Sequence, residues 1–155
     1  MTIQITDLVD AISQLEIAGV RVLDMDEIKP EVLARECPVL MPEPLNFVSN
    51  IIVTRDTSGA ASWAKKTIQY TINYVFLYAP VGAGRELQKY GEMVKRAFAV
   101  LDVFISHDDL TVNTTYDEAV DISPASVTEF GPVPDPAGNQ YLGCRMQFVV
   151  TEFIN

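Results

Sequence analysis

A glycine-rich turn, Pro-Val-Gly-Ala-Gly at residues 80–84, stands between a strand pattern and a helix pattern. Turns of this kind can hold a phosphate on the N–H groups that open a helix. A dinucleotide-binding loop needs a third glycine where this chain has Leu87, and a phosphate-binding P-loop needs Gly-Lys-Ser/Thr, which the sequence lacks. The residues therefore favour a plain turn over a phosphate site.

A second group that could do chemistry is His107 with Asp108 and Asp109. A metal site needs several converging ligands at helix or hairpin spacing, and one histidine beside two aspartates in a loop does not supply them. The acids that follow do not fit a calcium loop, and no serine stands in a Gly-x-Ser-x-Gly elbow. The sequence therefore predicts no catalytic residue, no metal site and no cofactor, and we do not expect an enzyme.

The two cysteines, Cys37 and Cys144, lie far apart and in no metal-ligand spacing. We expect small buried apolar side chains in a reducing compartment, although a disulfide between them stays open. The first residues lack the basic flank and apolar run of a signal peptide, and no apolar run is long enough to span a bilayer. The sequence therefore predicts a soluble protein, made in a cytoplasm, with no membrane partner.

Charge is unevenly distributed along the 155 residues, whose net charge is −10. A chain this acidic is not expected to bind nucleic acid or a membrane surface generally, because phosphates repel it. Residues 55–96 hold seven Lys or Arg, whereas residues 97–144 hold eight acids and no Lys or Arg. Either these are solvated faces whose signs happen to cluster, or copies dock head-to-tail, basic surface on acidic surface, and close into a ring.

The basic residues also flank a polar, glycine-containing segment, residues 55–62, that resembles the tip of a long hairpin. Trp63 lies beside this tip, where it is either tucked against the hairpin or available to a partner. Because of the net charge, a protein contact is expected here in preference to a nucleic-acid contact. The predicted protein-interface residues are Arg55, Trp63, Lys65 and Lys66.

The elements that position this tip are a long strand and a long helix. Residues 66–78 alternate with a period of two in β-branched and aromatic residues, the pattern of a strand. Residues 85–104 have the three- and four-residue spacing of an amphipathic helix. The predicted buried stripe of that helix consists of Leu87, Tyr90, Val94, Ala97, Phe98 and Leu101.

The remaining patterns predict shorter elements. A first helix covers residues 6–18 and ends at Gly19, and a short strand follows at residues 20–25. Prolines at 38, 42 and 44 predict an irregular connection with one brief helix that ends at Glu36. Further strands are predicted at residues 47–54, 110–114, 127–130 and 143–153, and a loop at residues 131–140. The whole chain is predicted to be one domain of the α+β class, a mostly antiparallel sheet with a long β-hairpin packed by two main helices on one face.

This order of elements resembles that of the tail terminator proteins of long-tailed, siphovirus-type bacteriophages. The resemblance covers essentially the whole chain and lies in its length, element order and texture: helix 6–18, strand 20–25, a proline-broken connection, hairpin 47–78, helix 85–104 and closing strands that end at Phe153.

The resemblance implies a structural virion protein that caps the head-proximal end of the tail tube. Such a protein forms a homo-oligomeric ring, commonly a homohexamer, that ends tube polymerisation and provides the joint to the neck or head connector. Its implied partners are copies of itself, the tail tube protein and the connector protein, with DNA only as passing cargo in the lumen. It would be located in the virion tail, and in the host cytoplasm during tail assembly.

Two alternatives stay open. One is a different head–tail joining or neck protein of the same particle. The other is a small α+β enzyme or ligand-binding protein with a pocket between sheet and helix. The apolar residues on the facing strand and helix favour a packed core over such a pocket.

Overall fold

The computed structural model describes residues 5–55, 66–82, 86–106, 109–113 and 118–154. One 3₁₀ turn, Met25–Glu27, separates β1 from α2. The other elements are α1 (Ile5–Ser13), β1 (Arg21–Val22), α2 (Pro30–Glu36), β2 (Val39–Pro42), β3 (Val48–Arg55), β4 (Lys66–Pro80), α3 (Glu86–Ser106), β5 (Asp109–Asn113), β6 (Glu118–Pro134) and β7 (Gln140–Ile154).

The strands form one sheet of order β1-β2-β4-β7-β6-β5, and β3 pairs with β4. Only the β1–β2 pairing is parallel in this described sheet. Strands β2 and β3 lie end to end along β4, because β2 pairs with residues 74–77 and β3 with residues 66–72. The α+β class, the mostly antiparallel sheet and the long β3–β4 hairpin are therefore confirmed.

The main core lies on the sheet face that carries the even-numbered residues of β4 and β7. Buried residues of α1 and α3 belong to this same core, among them Leu8 and Ile12 of α1 and Val100 and Phe104 of α3. The ring centroids of Phe104 and Phe148 lie 4.3 Å apart, so helix and sheet are in direct aromatic contact. The strand contributors include Tyr70, Ile72, Tyr74, Phe76, Cys144, Met146, Phe148 and Val150.

A smaller core lies on the opposite face, which the sequence analysis did not anticipate. Leu33 of α2 belongs to it together with Val39 and Met41 of β2 and Val75 and Leu77 of β4. The expectation of an irregular connection here is wrong for Val39–Pro42, which is strand β2. Proline is tolerated at the end of β2 because β1 pairs only with residues 39–40, so Pro42 stands at a free edge.

The first helix is shorter than predicted, because α1 ends at Ser13. Gly19 does not cap the helix. It has a φ of +71° and lies in the tight reversal that pairs Ile17 with Val20. A side chain at Gly19 would also collide with the guanidinium of Arg96, which donates a 3.0 Å hydrogen bond to the Ala18 carbonyl. The strand that follows is likewise shorter than residues 20–25.

The predicted loop at residues 131–140 is also wrong in its first part, since β6 continues to Pro134. In the described sheet β5 pairs only with residues 118–121 of β6. The rest of β6 therefore pairs with β7 alone and has one free edge, where proline is tolerated. The turn to β7 is held by Asp135, which is buried. Its carboxylate accepts hydrogen bonds from the backbone N–H groups of Ala137 and Asn139, at 3.0 and 2.8 Å.

Candidate protein-interaction surfaces

Strand β3 carries an exposed apolar run, Ile51, Ile52 and Val53, which we call the edge patch. Their exposed fractions are 62%, 49% and 62%. Within the described residues β3 pairs with β4 and with no second strand, so its other edge is open. Scattered exposed apolar side chains are ordinary, but a run of three on an open edge strand is typical of a surface that a partner covers.

The edge patch exposes apolar side chains on both faces of the sheet. Ile51 stands opposite Tyr70 and Val53 opposite Ile68, which places both on the helix-bearing face. Ile52 stands opposite Gln69 on the other face. None of the three carries a charge, so residues 51–53 of this edge lack the charged side chains that proteins commonly use to block strand pairing.

Two of the four predicted interface residues lie at the end of this same hairpin. Arg55 is the last residue of β3 and Lys66 the first of β4, and the ladder places them opposite each other. Both residues are basic, so this end of the hairpin has two formal positive charges. Trp63 and Lys65 lie outside the described residues, as do His107 and Asp108.

Helix α3 exposes a second apolar surface, and the predicted buried stripe is partly wrong. Leu87 is 90% exposed and Phe98 63%, and Tyr90 is also exposed. The residues that α3 buries against the sheet are instead Met93, Ala97, Val100 and Phe104. The helix carries enough apolar residues for two stripes, and three- and four-residue spacing fits either of them.

The outer stripe of α3 faces a groove against β6. The groove has a volume of 230 Å³, and every residue that lines it is of an apolar type. It is lined by Val94, Ala97, Phe98, Leu101, Val127 and Phe130.

One wall of this groove is built by an irregularity in β6. The β6–β7 register shifts between Thr128 and Gly131. Glu129 there has a φ of +57°, which an L-residue adopts only at a local energetic cost of about 1 kcal/mol or more. The bulge leaves Phe130 39% exposed at the groove. Bulges commonly redirect side chains at binding sites, and here the bulge places the aromatic ring of Phe130 at the groove.

An acidic side chain lies at one end of the groove, since Asp102 is exposed and stands one helical turn beyond Phe98. The Glu129 carboxylate lies on the opposite face of the sheet. Arg145 contacts both Glu129 and Glu43. The hydrogen bond with the Glu43 carboxylate is the main reason that the pKa of the Arg145 guanidinium is raised. Lys95 lies one turn before Phe98, and the sequence from 97 to 144 has no further cation.

Between α3 and strands β4 and β7, the side chains of the main core pack together. A shallow hollow of 750 Å³ lies elsewhere, around residues 13–22 and Glu27. Its Arg21 side chain forms ion pairs with Glu27 and Glu36. In the part of the chain that the structure covers, no three His, Cys, Asp or Glu side chains converge as metal ligands would.

Both cysteines are free thiols. Cys144 is fully buried in the main core, and this burial raises its thiol pKa to about 12. Burial also raises the pKa of the half-buried Cys37 thiol. Neither environment favours the reactive thiolate.

Sequence reasoning missed the groove and the edge patch, although signals for both were present. Twelve apolar residues in α3 exceed what one buried stripe needs, and Ile51, Ile52 and Val53 lack the alternation of a half-buried strand. None of the described helices combines the length and apolar character of a membrane span. No protein-family model and no curated protein matches the chain.

Proposed function

We propose that this chain is a structural protein of a bacteriophage tail, a tail terminator whose copies form a ring on the head-proximal end of the tail tube. The observation that carries the proposal is the presence of two separate exposed apolar surfaces on one small chain. The edge patch lies on β3 at one side of the sheet, and the groove lies on β6 at the other. Assembly is the ordinary way to bury such surfaces.

Different surfaces at opposite sides favour a head-to-tail arrangement of copies. A contact between two unlike surfaces leaves one of each kind free, so further copies add, and they form a ring where the rotation between neighbours closes. A closed ring buries both surfaces on every copy. The resemblance in element order to tail terminators adds the location of this ring, on the tail tube beneath the neck or head connector.

The charge distribution suits a ring through which DNA passes without binding. The chain carries a net charge of −10, and its residues 97–144 hold eight acids and no Lys or Arg. A lumen that exposes part of this segment would repel the DNA phosphates and let the genome slide through. The partners are then other copies of the chain, the tail tube protein and the connector protein, and the role is structural with no catalytic step.

The proposal is tested by mixing the purified protein with tail tubes from the phage whose genome encodes it. Negative-stain images should show a ring at one end of each tube, and added protein should stop tube growth. Tubes that keep growing with bare ends would refute the function. Density found at the connectors of tail-less heads, and none on tubes, would instead identify a neck or head–tail joining protein.

A further inference from the structure

We propose that the edge patch of one copy docks into the α3–β6 groove of the next copy, so that these two surfaces form the contact between neighbours. The inference rests on the proposed ring and specifies how its subunits meet. The occupant of the groove is thus a second copy of this chain.

The two surfaces match in chemistry. Every residue that lines the groove is apolar, and the residues offered to it, Ile51 and Val53, are β-branched apolar side chains on the helix-bearing face. They cannot meet within one copy, because β4 and β7 separate β3 from β6 in the sheet. Contact between them therefore requires two copies.

Charge complementarity favours this pairing over others. The edge patch ends at the opposed pair Arg55 and Lys66, which together carry two formal positive charges. Asp102 lies at the end of the groove nearest the C-terminus of α3. In the sequence after it, no Lys or Arg occurs until Arg145. In the proposed contact, the basic end of one hairpin lies beside the acidic end of the next copy's groove, and opposite charges attract.

A two-fold contact through either surface alone would pair like with like, so it would not bring the basic end of the hairpin beside Asp102. The bulge at Glu129 supports the same conclusion, since its strained backbone is retained where it presents Phe130 to the groove.

The decisive experiment mixes two defective variants. Val53→Asp damages the edge patch, and Phe98→Asp damages the groove; both positions are more than half exposed, so folding should survive. Leu45→Asp is the matched control, because Leu45 is fully exposed on the loop between β2 and β3. Sedimentation velocity over a concentration series measures assembly, and circular dichroism checks that each variant is folded.

The wild type and Leu45→Asp should assemble alike, and each defective variant alone should associate at least ten-fold more weakly. An equimolar mixture of Val53→Asp and Phe98→Asp should form a one-to-one dimer that grows no further, because only one intact patch and one intact groove remain. A mixture that stays monomeric while the wild type assembles overturns the inference. So does assembly of either variant at the wild-type concentration, or a wild type that stays monomeric throughout the series.

A charge exchange provides a second test that does not depend on apolar substitutions. Arg55→Glu and Asp102→Lys should each weaken association, and the chain that carries both should recover most of it. A double variant weaker than either single one counts against the pairing. The tube-capping experiment stays separate: a monomeric wild type that still caps tubes would refute only this contact, and a ring that assembles as described but ignores tubes would refute only the function.

Discussion

Tyr74 supplies a sharp test of the core, because its hydroxyl is buried without a hydrogen-bond partner among the residues that the structure describes. The ring itself is well packed, with edge-to-face contacts to Phe47 and Phe148 at centroid distances of 5.7 and 5.8 Å. Tyr74→Phe keeps this ring and removes only the hydroxyl. A buried polar group without a partner destabilises the fold by about 1–3 kcal/mol, so we expect the substitution to stabilise the protein by about 1 kcal/mol.

The same substitution has a predictable pH dependence. Burial, and secondarily the charge of Asp24, raises the pKa of the Tyr74 hydroxyl far above its ordinary value of 10.0. The hydroxyl therefore stays protonated in the folded chain while the unfolded chain loses its proton, and wild-type stability falls as pH rises above about 10. Tyr74→Phe lacks this loss, so its advantage over the wild type should grow by about 1.4 kcal/mol between pH 7 and pH 11.

Urea denaturation at both pH values measures these differences. At pH 7 the stabilisation should raise the thermal midpoint by about 2–4 °C for a chain of this size. Tyr78→Phe is the control, because the Tyr78 hydroxyl donates a 2.7 Å hydrogen bond to Glu92, and its loss should destabilise the protein slightly. If Tyr74→Phe destabilises the fold at pH 7, or its advantage does not widen with pH, the hydroxyl is not the unpaired buried group described above.

Two further substitutions test the sheet and the turn between β6 and β7, and Gly91→Ala is the control for the first. Gly143→Ala should destabilise the fold by about 2–4 kcal/mol in urea denaturation, because the new Cβ would collide with the Phe76 carbonyl inside the β4–β7 ladder. At Gly91 on α3 a new Cβ would meet open space, so Gly91→Ala should stabilise the fold by about 0.5–1 kcal/mol. Equal effects of the two substitutions would contradict the collision expected at Gly143. Asp135→Ala should lower stability by about 1–3 kcal/mol and speed amide exchange in the turn at residues 135–139, because its carboxylate accepts several hydrogen bonds there. Unchanged exchange would show that the turn holds without it.

The parts of the fold that sequence predicted well are those whose pattern is local. The alternation at residues 66–78 and the helical spacing at residues 85–104 correspond to β4 and α3 with small differences at the ends. The hairpin of β3 and β4 also follows from neighbouring segments that need only pair with each other. These elements carry their own periodicity, so tertiary contacts had little to decide.

The parts that sequence missed depend on distant partners. Pro132 and Pro134 favour a loop by themselves, and they become strand residues only because β7 pairs with them along a free edge. The choice between the two apolar stripes of α3 is made by the sheet, which buries Val100 and leaves Phe98 exposed. The candidate site could be foreseen only at Arg55 and Lys66, since the groove needs α3 and a bulge in β6 to come together.

The position of the two surfaces along the strands has a geometric consequence for a ring joined through them. Ile51 lies level with Val150 of β7, through Tyr70, whereas Val127 at the groove lies level with Met146. The surfaces are thus displaced by about 13 Å along the strands and, over three strand spacings, by about 14 Å across them. A closed ring admits no rise from one copy to the next, so its strands must incline to the ring axis by roughly 45°. If these strands formed the inner wall of such a ring, they would run obliquely to the ring axis and to the DNA that passes along it.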